Sequence, residues 1–164
     1  MQPPSPVDQA NALLRHLGDQ IGIPSLRLDE RGCCLLRVAR RWTLSLLLES
    51  AHETLYLSCP ITAPGQLDTI PVAAWVTWLQ AQHLGGGSPG AAVTVDPQGR
   101  VCVQQALYLP ATLPARLVEA VEILLARATR CAAWLTPTGA AAAGSQAAAS
   151  TSTAFPALFH HTRI

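Results

Sequence analysis

The order of elements in the first forty residues constrains this chain most. A capped amphipathic stretch, SPVDQANALLRHLGDQIG, breaks at Gly22 and Pro24 and runs into LRLDERGCCLLRV. Ser5 before Pro6 supplies a hydroxyl N-cap and a proline at the first helical position. Val7, Ala10, Leu13, Leu14, Leu17 and Ile21 recur at three- and four-residue spacing, so one face of that helix is apolar and must be covered. Leu26–Leu28 and Cys33–Val38 flank a polar DERG turn and read as a hairpin, with Gly32 taking the positive φ.

Two further strands follow. In WTLSLLLE, Trp42, Leu44, Leu46 and Leu48 share one face; in TLYLSC, Leu55, Leu57 and Cys59 alternate with Tyr56 and Ser58. A second helix is expected over Asp68–His83, with Val72, Trp75, Val76 and Leu79 on one side and Trp78 beside them. GGGSPG then breaks the chain, and AAVTVDPQGRVCVQQALYL is a hairpin whose turn carries Pro97 and Gly99. Pro114 opens a last helix running to Leu135, with Glu119 and Glu122 early and Arg127 and Arg130 late, as the helix dipole prefers. Strands joined by tight turns imply an antiparallel sheet, and helices between the hairpins imply an α+β fold with helices packed on that sheet. Residues 1–135 therefore form one domain, and 136–164 an Ala/Ser/Thr-rich low-complexity tail that reads as disordered.

Composition excludes several kinds of function. Every one of the 11 Lys+Arg positions is arginine, so no Schiff-base lysine and no phosphate-loop lysine exists. The net charge is +1 and the basic residues are scattered, so no nucleic-acid stripe forms; Arg37, Arg40 and Arg41 read as a solvated strand end. Only 13% of residues are charged, which leaves apolar surface for a second copy or a client to cover. MQPPSPVDQA lacks the basic and apolar regions of a signal peptide, no stretch is apolar enough to span a bilayer, and the five cysteines lack CxxC spacing. A cytoplasmic protein with buried free thiols is the expectation.

Reactive groups do not converge. GGGSPG lies between helix and strand, the reverse of a phosphate loop, and reads as a connector. Ser50, His52 and Glu53 lie in a polar turn without a nucleophile elbow. Cys33 and Cys34 point to opposite strand faces and cannot share one metal with His16 or His83; His160–His161 lies in the tail. Asp29, Glu30 and Asp96 fall in hairpin turns, where carboxylates bond the local backbone. No catalytic, cofactor or metal site is expected. Trp75 and Trp78 admit two readings, core packing or an interface, because aromatic anchors concentrate in interface cores.

Taken in order, ALLRHLGDQIGIPSL, LRLDERGCCLLRV, TLYLSCPI before a loop and helix, and LGGGSPGAAVTVDPQGRVCVQQAL before a long last helix resemble the type III secretion effector chaperones. These are the Tir-chaperone-like family of small bacterial cytosolic proteins, and the likeness covers residues 6–135. The resemblance implies an α-β-β-β-α-β-β-α homodimer that is not an enzyme and binds no nucleotide. It implies a partner as well, the N-terminal segment of one or more secreted effectors, held extended, kept secretion-competent and released at the export ATPase. By family position, dimerisation falls to Trp75, Trp78, Leu79, Val101 and Val103. Client contact, through apolar grooves and strand addition, falls to Leu14, Leu17, Ile21, Leu26, Leu28 and Leu35. Two features depart from the family pattern: this body is neutral where members are usually acidic, and the tail has no counterpart. Two other readings stay open, a small dimeric hot-dog-like thioesterase using Asp68, and a regulatory or scaffold protein of the same fold.

Overall fold

The chain begins with helix α1, Pro6–Ile21, capped where the sequence predicts: Ser5 Oγ accepts the Asp8 N–H at 3.2 Å, and Gly22 closes the helix at φ +75°. The computed structural model describes residues 4–83, 91–135 and 159–160; the GGGSPG connector and the rest of the tail, His161 included, lie outside them. After α1 the chain folds back so closely that a Cβ on Gly18 would lie 2.3 Å from the Ile23 carbonyl oxygen. Only glycine permits that return, which the Ile23 N–H seals by donating to Gly18 C=O at 2.7 Å.

Leu26–Leu28 is not the strand that the sequence predicts. The Leu28 N–H donates instead to Asn11 Oδ1 on α1 at 2.9 Å, so this segment is tied to the helix rather than to a partner strand. The strands are β1 (Cys33–Val38), β2 (Trp42–Glu49), β3 (Thr54–Pro60), β4 (Ala91–Val95), β5 (Val101–Tyr108) and the two-residue β6 (Phe159–His160). They form one sheet in the order β4-β5-β3-β2-β1-β6, with every neighbouring pair antiparallel. With α2 (Val72–Gln82) before β4 and α3 (Pro114–Ala133) after β5, the domain has the expected α-β-β-β-α-β-β-α order. In the β1–β2 turn Ala39 and Arg40 both sit in the left-handed region, at φ 52° and 55°.

Register explains the core. Side chains two apart share a face, so Cys34, Leu46, Leu57, Gln105 and Ala91 form one rung across five strands. That face carries the helices: α3 lies on β3 and β5, α1 packs on β2 and against α3, and α2 runs beside β4. Leu14 and Leu17 of α1, Leu117 and Leu124 of α3, and Leu36, Leu44, Leu46, Leu55 and Leu57 of the sheet are all fully buried. Truncating such a leucine to alanine typically costs 2–5 kcal/mol.

Helix α2 starts four residues later than predicted, with Leu67–Thr69 forming a separate 3₁₀ turn. Pro71 is the cause: it holds Ile70 extended (φ −79°, ψ 124°), and the helix begins only after the proline. Arg127, read from the sequence as a charge near the helix end, is buried on α3. Burial lowers the pKa of its guanidinium, and the neighbouring Cys131 opposes that effect.

Candidate functional site

Hydrogen-bond phase determines which sheet edge is available. In an antiparallel ladder, alternate residues exchange both backbone bonds with one neighbour, and the residues between them face the other way. The Leu48 N–H donates to Gly32 C=O at 2.9 Å, so Cys34, Leu36 and Val38 are the β1 residues bonded to β2. Cys33, Leu35 and Arg37 therefore turn their N–H and C=O groups outward. At the opposite side of the sheet the Asp96 N–H donates to Arg100 C=O at 3.0 Å, which leaves Ala91, Val93 and Val95 outward on β4.

The two edges are finished differently. On β4, the outward Val93 N–H donates to Gln82 Oε1 of α2 at 2.8 Å. On β1, Asp29 takes up both groups of Cys33: its Oδ1 accepts the Cys33 N–H at 2.8 Å, and its own N–H donates to Cys33 C=O at 2.7 Å. Arg37 stands opposite His160 of β6. Leu35, between them, has no described strand partner on that side. An edge with open backbone groups is a template for another extended segment.

Beside that edge the outer sheet face is partly apolar. Leu35 is 40% exposed, and Cys33, Leu47, Tyr56 and Ala106 form a rung running inward from the same strand. A segment added at Leu35 would thus meet both main-chain partners and apolar side chains.

The residues predicted to contact a client do not assemble on one surface. Leu14, Leu17, Leu26 and Leu28 are buried in the domain's own core and Ile21 is half-buried against it, leaving Leu35 as the exposed member. The reason is that the α1 stripe faces β2 and α3, while Asn11 holds Leu28 inward. Of the predicted interface residues, Trp78, Val101 and Val103 are likewise core, Trp75 is half-buried, and Leu79 is 63% exposed. Trp75 and Trp78 meet edge to face, with ring centroids 5.1 Å apart. The outward apolar face of α2 is completed by Val76 and by Val72, 76% exposed. Those two belong to the stripe visible in the sequence; that it is Ala74 and Trp78 that α2 buries was not visible, because the helix is apolar nearly all round.

The polar candidates have local roles. Asp29 and Asp96 each accept N–H groups of their own turns, and Asp96 also pairs with Arg100 at 2.6 Å. Slight burial pushes the Asp96 carboxyl up, but the Arg100 N–H, the Arg100 guanidinium and the Gln98 N–H together hold it below its usual value. His52 pairs with Glu49 at 2.9 Å on an exposed turn, and Asp68 is exposed on the turn before α2, not in an apolar pocket. The thiols are the opposite of reactive: burial pushes Cys59 up to about 12, helped by Cys102, and Cys34 up to about 11, helped by Cys33 and Asp29. Among the described residues no three His, Cys, Asp or Glu side chains group as metal ligands, and no helix is long and apolar enough to cross a membrane.

Solved structures repeat this fold. A chain of the crystal structure of the ExsC–ExsE complex is 20% identical and superimposes with a TM-score of 0.70, over 82% of this chain and 98% of that one. A chain of the HopA1–SchA chaperone–effector complex is 19% identical (TM-score 0.60), covering 74% of this chain and 91% of that one. One from the heterodimeric ExoU–SpcU complex of the type III secretion system of Pseudomonas aeruginosa is 18% identical (TM-score 0.58), covering 77% and 98%. No curated protein matches the chain in sequence. Residues 12–132 match the Tir chaperone protein (CesT) family, and with that match over most of its length the chain belongs to that family.

Proposed function

We propose that this protein is a non-catalytic, homodimeric cytoplasmic chaperone of type III secretion, which holds an N-terminal effector segment in extended form for export. The reading rests first on the family match over residues 12–132, and the sheet supplies a place for a client: on β4 Gln82 takes up the outward Val93 N–H, and on β1 the outward backbone groups of Leu35 are left to an added strand. Main-chain bonds at that edge and apolar contacts on the outer face offset the ordering entropy of an unfolded client. The similar structures point the same way, since HopA1–SchA is a chaperone–effector complex and ExoU–SpcU a heterodimer of the secretion system.

Dimerisation is assigned to the outward face of α2, where Val72, Val76 and Leu79 are exposed beside the half-buried Trp75. A helix face of this kind, beside β4, leaves the β1 side of each sheet in a dimer for one client to pass along. Membership of a chaperone family and the scattered polar groups argue against an enzyme.

Co-expression with the N-terminal hundred or so residues of the type III effectors of the same bacterium tests the reading. The expected product is a stable complex of two copies of this chain with one effector segment, read by size exclusion with light scattering. A chain that stays monomeric and retains none of those segments would overturn it.

A further inference from the structure

We propose that the C-terminal segment around Phe159–His160 is a resident occupant of the β1 edge, which an incoming client strand must displace. The client half of this statement rests on the function proposed above. The occupancy half rests on register alone: β6 pairs antiparallel with β1, Arg37 opposite His160 and Val38 opposite Phe159. Arg37 is one of the β1 residues whose backbone groups face away from β2, so His160 lies where a bonded partner is needed. The neighbouring outward residue on one side, Cys33, is already satisfied by Asp29, two positions beyond the open Leu35.

The sequence supports the same assignment. The Ala/Ser/Thr-rich tail lies outside the resemblance to secretion chaperones, and its final apolar group, FPALFHH, contains β6. A strand of two residues adds only a small ladder, so it covers the edge without locking it. Such a cover answers the general hazard of an open edge, which is pairing with the edge of another molecule. Tethering makes a weak strand effective: at an effective concentration on the order of 1 mM, a segment with an intrinsic Kd of about 0.1 mM lowers a competitor's affinity about tenfold.

The test uses the full chain and the variant His160→Pro, which lacks the N–H that β6 would give Arg37, with a fluorescein-labelled peptide PALFHHTR as probe. The peptide is expected to bind His160→Pro at least tenfold tighter than the unaltered protein, and the outward amide of Arg37 to exchange faster in the variant. Equal peptide affinity and equal exchange would overturn the occupancy, and would leave the chaperone reading, judged by effector co-purification, as it stands. An effector segment shown to bind the unaltered chain should then bind His160→Pro about tenfold tighter. An unchanged effector affinity would overturn the competition, since tail and client would occupy different places. A chain truncated after residue 155 serves as the second variant and is expected to match His160→Pro in every measurement.

Discussion

Gln82 on α2 and Val93 on β4 are joined by one hydrogen bond, in which the strand N–H donates to the side-chain oxygen at 2.8 Å. This bond ties the second helix to the sheet and takes up the outward amide of Val93 on the β4 edge. Gln82→Leu removes the acceptor and leaves a part-buried N–H unpaired. The expected cost is about 1–2 kcal/mol, read as a lower urea midpoint with an unchanged slope. A variant as stable as the parent would mean that water serves Val93 equally well.

The phase of β1 separates two neighbouring proline substitutions. Leu35 turns its N–H outward, so Leu35→Pro removes nothing from the β1–β2 ladder and is expected to fold. Leu36 bonds to Leu44, so Leu36→Pro should cost about 3 kcal/mol or more and unfold the domain. Circular dichroism checks both. If the client adds as a strand, folded Leu35→Pro no longer retains an effector segment. Retention at full strength would move the client elsewhere.

Much of this architecture was legible in the sequence because alternation and caps are local signals. Ser5, Gly22 and Gly32 act where the sequence places them, and β2 and β3 alternate as expected. Three matters were not legible, for tertiary reasons. The destination of Leu28 depends on Asn11, seventeen residues earlier. The orientation of α2 depends on which of its apolar sides meets the sheet. The state of each edge depends on Asp29, Gln82 and His160, none of which announces itself by pattern. An amphipathic stripe such as that of α1 states that a face is covered, and Leu14 and Leu17 are covered by their own sheet and α3.

The α2 face distinguishes an interface from a core. Val76→Glu with Leu79→Glu changes two exposed positions and should leave the fold intact while converting a dimer to a monomer in light scattering at micromolar concentration. Trp78→Glu puts a charge where 1% of the side chain is exposed, and should yield no folded protein at all. A persistent dimer in the double glutamate variant would exclude the α2 face as the interface.

The buried thiols set a sign for the alkaline limb of stability. An exposed cysteine in the unfolded chain ionises near 9, whereas burial holds Cys34 to about 11 and Cys59 to about 12. Unfolding therefore releases protons above pH 9. Stability is full below that value and falls as pH rises toward 12. At pH 10 these two thiols together should remove roughly 3 kcal/mol relative to pH 8. Urea unfolding at both values measures it, and the Cys34→Ala, Cys59→Ala double variant should show a shallower fall from its own, lower starting point. An equal fall would place the alkaline sensitivity elsewhere.

The turn between β1 and β2 is strained in a way that substitution can relieve. Val38 C=O accepts the Arg41 N–H at 3.1 Å, closing a turn whose two central residues, Ala39 and Arg40, both have positive φ. L-residues with a Cβ pay roughly 1–2 kcal/mol in that region, and Asn-Gly is the pair that suits such a turn. Ala39→Asn with Arg40→Gly is expected to stabilise the domain by about 1 kcal/mol, offset in part by the greater freedom of glycine in the unfolded chain. The melting temperature should rise by about 3 °C. Because the turn joins the open edge strand to β2, the same variant should also slow amide exchange in β1. A lower melting temperature would show that the Arg40 side chain contributes more to the fold than its backbone strain removes.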